Sequence, residues 1–309
     1  MSELILGFGE ALVDVLPSGE VVGGAPLNFS VRAAQLGQAM GFTTALISRI
    51  GSDARGEKIL QHLQRTPLDT SAIQVDATHP SGYVDVTLED GHPSYVIGEQ
   101  VAWDHIAFDD SVAQIARRSS ALCFGTLSQR CQPTRQTLAR CLQAADHAIK
   151  ILDINLRLPH PPIELIEESL RHADVLKCNE DELLLLYDWL HLHVADRSSD
   201  RNTSVAIAIQ LQQRFDLQSV FWTRGASGCM LQRGAQVTSG GVPQLPQAPQ
   251  ADSVGAGDAA SAALAVGLVA GWSDDRIVAL ANYCGAFAAS QRGATTPFPD
   301  DFLHKLVAD

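Results

Sequence analysis

The chain has 309 residues, 46% of them hydrophobic and 18% charged, which is enough apolar material for a large core and too much for intrinsic disorder. Its formal net charge is −13, and its 22 Lys and Arg form no basic run, which argues against a nonspecific nucleic-acid or anionic-membrane surface. An anionic ligand is not excluded, because helix N-termini and metal ions hold phosphate without raising net charge.

Short apolar runs alternate with amphipathic stretches almost from end to end, the pattern of parallel strands joined by helices. Strands are expected at 4–8, 43–47, 121–124, 149–154, 175–178 and 219–223. Helices are expected at 27–38, 54–65, 131–146, 163–171, 180–190 and 203–214, giving a doubly wound sheet. Two stretches break the alternation. Residues 11–23 carry Val13, Val15 and Val21 around Pro17-Ser18-Gly19. Residues 82–97 alternate apolar and polar side chains before a turn centred on Asp90-Gly91, a β-hairpin signature. Together they predict a small antiparallel flap, the alternative being edge decoration of the main sheet. From Ser253 onward the chain is expected to be helical. The uncharged run from Ala259 to Gly271 marks a helix buried on nearly every face.

Six cysteines (Cys123, Cys131, Cys141, Cys178, Cys229, Cys284) are scattered without a C-x-x-C pair and are expected as buried free thiols. Residues 1–7 lack the basic and apolar regions of a secretory signal, and the longest apolar run is too short to span a bilayer. A soluble cytoplasmic protein is the expectation.

The strongest local feature is Asp252-Ser253-Val254-Gly255-Ala256-Gly257-Asp258 at the head of the apolar helix. Two glycines flanking a small residue leave backbone N–H groups uncovered where the helix dipole favours negative charge, an anion hole. Asp258 follows in the first turn. A carboxylate beside an anion site suits a base that deprotonates an attacking hydroxyl, whereas a capped, glycine-tolerant helix start is the plain alternative. No lysine follows a glycine, so a P-loop is excluded; the spacing from Gly255 through Gly257 to Ala260 only weakly resembles a dinucleotide fingerprint. A second cluster, Gly23-Gly24-Ala25-Pro26-Leu27-Asn28-Phe29-Ser30, combines glycines that permit close backbone approach with an asparagine that both donates and accepts, as recognition of sugar hydroxyls requires. Asp14 is placed to accept from the same ligand, and an ordinary helix N-terminus is again the alternative.

The second cluster, with Leu36-Gly37, Gly51-Ser52-Asp53 and Gly56, resembles the N-terminal signature of the ribokinase-like (phosphofructokinase-B type) carbohydrate kinases. The 252–258 segment resembles that family's C-terminal signature, with Ser253 where Thr is commoner. The two stand about 230 positions apart and in the right order. Asp153-Ile154-Asn155-Leu156-Arg157, Lys177-Cys178-Asn179-Glu180-Asp181-Glu182, Thr223-Arg224-Gly225-Ala226-Ser227-Gly228 and Gly293-Ala294-Thr295-Thr296-Pro297 extend the resemblance over essentially the whole chain. It implies a single α/β domain over 1–309, a three-layer α/β/α ribokinase-like fold with a central mostly parallel sheet, and a small β-sheet lid formed by about 11–23 and 82–98.

The activity so implied is transfer of the γ-phosphoryl of ATP to a sugar hydroxyl. The resemblance makes Asp258 the base, with the amides of Gly255, Ala256 and Gly257 holding the phosphate. Asp14, Gly24 and Asn28 would bind the sugar. Arg157 and Lys177 would meet phosphate, Asn179 and Glu182 would organise Mg²⁺ through its water shell, and Thr223, Gly225, Gly228 and Asn282 would border the nucleotide. Asp252 and the carbonyl of Val254 would hold a monovalent cation, K⁺. The segments 9–14, 23–26 and 153–159 look most like fructokinases. Arg157 departs from the ribokinase-type Asp-x-Asn-Pro pattern, and Ser94-Tyr95-Val96-Ile97 departs from the lid segment of 2-keto-3-deoxygluconate kinases. Fructose is the first expectation; another hexose, a pentose such as ribose, or a sugar acid are the alternatives. A sugar-binding regulator without turnover and a nicotinamide-dependent oxidoreductase are readings from other classes. A homodimer and a lid hinged near Gly9, Gly24 and Gly98 are also expected.

Overall fold

In the computed structural model the described residues are 2–89, 92–193 and 201–308, so the Asp90-Gly91 turn lies outside them. The chain begins with β1 (Leu4–Phe8), β2 (Leu12–Leu16), β3 (Gly19–Gly23), α1 (Ala25–Ala39), β4 (Thr43–Gly51), α2 (Ala54–Leu63), β5 (Ile73–Asp76), β6 (Gly82–Glu89) and β7 (His92–Ile97). It continues through α3 (Asp110–Arg118), β8 (Ala121–Phe124), α4 (Gln132–Ala144), β9 (Ile149–Asp153), α5 (Ile163–His172), β10 (Val175–Asn179), α6 (Glu180–Trp189) and α7 (Arg201–Phe215). The last part holds β11 (Ser219–Thr223), β12 (Cys229–Arg233), β13 (Gln236–Ser239), α8 (Ala256–Val269), α9 (Asp274–Ala289) and α10 (Asp300–Ala308).

Nine strands form one sheet in the order β13-β12-β11-β10-β9-β8-β1-β4-β5. All pairings from β11 to β5 are parallel, and β12 and β13 add an antiparallel edge. Successive strand side chains face opposite layers, as the pleat requires. Leu6, Phe8, Leu122, Phe124, Leu152 and Trp222 join a core with residues of α3 to α7. Ile5, Cys123, Ile151, Val175 and Phe221 join a second core with α1, α8 and α9. Both faces are therefore covered, which is why these strands are nearly continuous apolar runs in the sequence. The result is the expected three-layer α/β/α arrangement. Five cysteines are buried, Cys131 is partly exposed, and all six are free thiols, as expected.

Helix α8 is buried from Ala259 to Gly267 and packs between α1 and α9. Its alanines and glycine let the neighbouring helices approach closely, and the absence of a charge after Asp258 is what permits burial on every side. The antiparallel β12 and β13 pair and helix α3 are elements beyond the alternation read from the sequence. The start of α3 was visible only as Asp109, whose side chain accepts from the Val112 N–H at 2.9 Å.

The two segments that broke the alternation pair with each other in a second sheet, β3-β2-β6-β7. Its outer pairings are antiparallel, but the central β2 and β6 pair is parallel, with Leu12 opposite Gly82, so the purely antiparallel expectation is corrected. The reason is topological. β2 continues from β1 and β6 follows β5, two strands that point the same way in the main sheet, so both enter the second sheet in the same direction.

The base of this second sheet is tied to the main body. Arg130 donates from Nε and Nη2 to the two carboxylate oxygens of Asp104, each at 2.7 Å, and from Nη2 to the carbonyl of Gly98 just after β7. Its guanidinium stands 4.0 Å from the centroid of Trp103. Asp104 is fully buried, so removing its partner strands a charge. Arg130→Ala should therefore destabilise the fold by about 3 kcal/mol or more, read as a lower denaturant midpoint at unchanged slope.

Candidate active site

A cavity lined by Glu10, Ala25, Pro26, Gly125, Asp153 and Asn155 opens at the C-terminal ends of β1, β8 and β9, and the start of α1 meets the start of α8 beside it. Gly24 (φ 108) starts α1, and a Cβ there would lie 2.5 Å from the backbone oxygen of Glu10, so only glycine permits this approach. One turn later, Asn28 is buried and donates from Nδ2 to Oδ2 of Asp258 at 2.9 Å. That bond orients the amide and leaves its Oδ1 buried with no partner, an acceptor open to a ligand hydroxyl. The two sequence clusters thus meet across 230 positions.

Gly255 adopts the left-handed conformation (φ 78, ψ 1) at the N-cap of α8, and no side chain caps the helix. Its missing Cβ matters twice, since one would lie 2.5 Å from Cβ of Ala294. The Ala256 N–H reaches the Ser253 carbonyl at 3.2 Å, while the following first-turn amides have no acceptor within the helix. Asp258 sits in that turn. Burial, with the Asp153 carboxylate nearby, pushes its pKa up to about 6, against the opposing pull of Lys177, the Asn28 hydrogen bond and Arg157.

Beneath the α8 start lies a charged pair set in the sheet itself. Lys177 stands opposite Asp153 in the β10 and β9 register, and its Nζ donates to Oδ1 at 3.0 Å. Ser261 donates to the other Asp153 oxygen at 2.7 Å. Burial opposes the Lys177 charge, but Asp153, Glu182 and Asp258 outweigh it and raise its pKa above the ordinary lysine value. Its Nζ lies 3.3 Å from where a Cβ on Gly257 would stand. The cation expected near phosphate is therefore directly under the helix start, already paired with a carboxylate.

Beside Gly23, Asp14 on β2 is half-buried, and desolvation raises its pKa against the pull of Arg157. Glu10, which the sequence reading did not single out, is buried in the same cleft and pushed up to about 7 by desolvation. Arg157 is exposed and acts electrostatically on Glu10, Asp14 and Asp258. The signal for Glu10 was a lone acid two residues past an apolar strand, and that for Asp153 a lone acid ending one.

Glu182 is buried, with Oε1 accepting from the Leu156 N–H at 2.7 Å and Oε2 from the Asn179 N–H at 2.8 Å. The Asn179 side chain caps the Glu182 N–H in return, a capping box. This pair holds the 154–157 segment, and with it Arg157, against α6. Thr223 ends β11, and Gly225 (φ 53) and Gly228 (φ 79) frame the turn after it. Asn282 of α9 lies against that turn. Its Oδ1 accepts from the Cys229 N–H at 2.9 Å, and its Nδ2 is buried without a partner. Asp252 accepts from the Val254 N–H at 3.0 Å and from the Gly293 N–H at 3.4 Å. Among the described residues no group of three or more His, Cys, Asp or Glu could hold a metal, and no helix is long and apolar enough to cross a membrane.

The profile of the pfkB family carbohydrate kinases matches residues 11–301. The chain belongs to that family. It is a carbohydrate kinase with the ribokinase-like fold. It is 29% identical over 321 residues to a sugar kinase of Pyrococcus horikoshii described as uncharacterized, covering 97% of this chain and 94% of the relative. The crystal structure of that kinase superposes with a TM-score of 0.79 over 98% of this chain and 97% of its own, and it has also been crystallised in complex with ATP. A fructokinase of Klebsiella pneumoniae is 28% identical over 327 residues, covering 99% of this chain and 100% of the relative. The fold is shared with a fructokinase of Xylella fastidiosa with bound ATP, at a TM-score of 0.79 and 22% identity over 100% of this chain and 99% of that one.

Desolvation of the partly buried Asp258 bears on stability. Its folded pKa of about 6 lies above the ordinary aspartate range, so folding favours the proton, and that favour is lost as pH rises through about 6. At neutral pH the ionised carboxylate is a burden on the fold. Asp258→Asn is expected to melt at a higher temperature than the unmodified chain at pH 7.5, with the difference shrinking toward pH 5, as calorimetry would show.

Proposed function

We propose that this carbohydrate kinase transfers the γ-phosphoryl of ATP to a hydroxyl of a neutral sugar, with fructose the first acceptor to test. The observation that carries the reading is the Asn28 to Asp258 hydrogen bond at the uncapped start of α8. It joins the residue suited to recognise a sugar with the residue suited to deprotonate it. Asp258 would take the proton from the attacking hydroxyl, and the amides of Gly255 and Gly257 would receive the charge that spreads over the phosphoryl oxygens, whereas the expected third donor, the Ala256 N–H, is already held by the Ser253 carbonyl. A carboxylate of pKa about 6 is a better base than an ordinary aspartate and is still ionised at neutral pH.

The acceptor end would consist of Asp14, Gly24 and Asn28, with Glu10 added. Arg157 acts on all three acids there, Glu10, Asp14 and Asp258, with Arg130 adding to its pull on Glu10 and Lys177 to its pull on Asp258. Among the described residues no cation there is left without an acid to bind a sugar carboxylate such as that of 2-keto-3-deoxygluconate, and a neutral sugar is favoured. The fructokinase relatives support fructose among the neutral candidates. The nucleotide would lie along Thr223, Gly225 and Gly228 toward the unpartnered Nδ2 of Asn282, with Arg157 and Lys177 near its phosphates. Both Glu182 oxygens already accept backbone N–H groups, so Glu182 and Asn179 fit only the orientation of metal-bound waters. Mg²⁺ would arrive with the phosphates and neutralise their charge. Asp252 and the Val254 carbonyl would hold K⁺ at the point where Asp252 already bridges Val254 and Gly293.

ADP formation measured over a panel of neutral sugars and sugar acids should peak on a neutral ketohexose. On that sugar, Asp258→Ala should lose activity by roughly 10²-fold or more. Full activity of the Ala variant removes Asp258 as the base, and sugar binding without turnover on every member of the panel returns the protein to a binding role. For the active enzyme, kcat should fall about tenfold per pH unit below about 6, as the Asp258 carboxylate is protonated.

A further inference from the structure

Helix α1 carries a buried arginine that the proposed chemistry does not use. Arg32 has 0% exposure, and none of its recorded hydrogen-bond partners among the described residues is a carboxylate. Nε donates to the Ala294 carbonyl at 2.9 Å, and Nη1 donates to the Thr296 carbonyl and to Oε1 of Gln35. The guanidinium lies 4.7 Å from the Phe298 ring centroid and 5.7 Å from that of Phe287, and Nη2 is buried without a partner. Burial lowers its pKa to about 10, so it is charged at neutral pH. A buried cation without a carboxylate partner regains only part of its lost hydration from carbonyls, an amide and aromatic faces, and an apolar side chain would fill the space without that loss.

What the cation holds is the loop against the anion hole. Ala294 is the residue that fills the space beside Gly255, and Gly293 donates to Asp252. Gln35 donates to the Thr295 carbonyl at 3.2 Å, and His62 meets the Thr295 hydroxyl at 3.1 Å. Arg32 stands four residues after Asn28 and therefore on the same side of α1. One helix face thus reaches Asp258 through Asn28 and the neighbour of Gly255 through Arg32.

We propose that Arg32 is a positioning residue for phosphoryl transfer: it locks the 293–297 loop against the Gly255 turn, and its permanent charge adds to that of the α8 N-terminus. The inference rests on the kinase reading above. The charged or titratable groups that otherwise act on Asp258 are Asp153 on β9, Lys177 on β10, Arg157 after β9, Glu10 after β1 and Cys123 on β8. None of these is altered by substitution at Arg32.

The test compares wild type, Arg32→Met, Arg32→Lys and Asp258→Asn on the best sugar, measuring kcat, KM for sugar and for ATP, and the kcat–pH profile. Turnover by wild type and its loss in Asp258→Asn establish the kinase reading independently of Arg32. Arg32→Met is expected to lose about tenfold in kcat with the sugar KM changed by less than about twofold. Its acid limb should move to higher pH, because loss of a nearby positive charge makes the Asp258 carboxylate easier to protonate. Arg32→Lys, which keeps the charge but not the two-carbonyl fork, should lose less kcat and leave the acid limb in place. A folded Met variant with wild-type kcat and pH profile overturns the proposal, even if its melting temperature falls. Should the Met variant not fold, the Lys variant decides: reduced kcat at unchanged sugar KM supports the role, and wild-type kcat overturns it.

Discussion

The site depends on one constraint, a partly buried carboxylate held at the uncapped start of an apolar helix. Asp258 is partly enclosed because α8 is packed between α1 and α9, and Lys177, the Asn28 hydrogen bond and Arg157 favour its ionised form against desolvation. The glycines at 24 and 255 follow from the same constraint. Each lets backbone approach where a Cβ would collide, with Glu10 in one case and with Ala294 in the other. The proposed base, the sugar side and the anion hole are thus held by a single packing arrangement, and disturbing one helix disturbs all three.

The same arrangement explains how a chain of net charge −13 can be built to meet a highly anionic substrate. Positive potential is concentrated rather than abundant. It comes from helix amides, from Lys177 set into the sheet opposite Asp153, from Arg157 at the cleft rim and from Arg32 under the flanking loop. Fixed dipoles and buried cations cost little reorganisation when charge shifts during transfer, whereas mobile surface lysines would be screened by water and salt. The cost falls on the fold, which carries ionised groups in a dry interior.

Much of this was legible in the residues themselves. The parallel strands announced themselves as apolar runs because they are covered on both faces, and α8 did so because no charge follows Asp258 until after Gly271. The second sheet was expected from its two segments, but the direction of its central pair was not, since strand direction there follows from where β1 and β5 end. Glu10, Arg32 and Ser261 were not singled out. Each is an ordinary residue in its local context, and each matters only through a partner far away in sequence, such as Ala294 for Arg32 or Asp153 for Ser261.

By itself, then, the sequence determined the layering, the order of the elements and the two glycine-rich helix starts, because periodicity and backbone permissiveness are local properties. Only the tertiary structure decided that Asn28 touches Asp258, that Lys177 is already paired with Asp153, that Glu182 is committed to backbone amides, and that the buried Arg32 holds the carbonyl of Ala294 beside Gly255. Those are long-range electrostatic and hydrogen-bonding facts. They depend on which strands lie side by side and which helices are pressed together, and folding alone brings such residues within reach of one another.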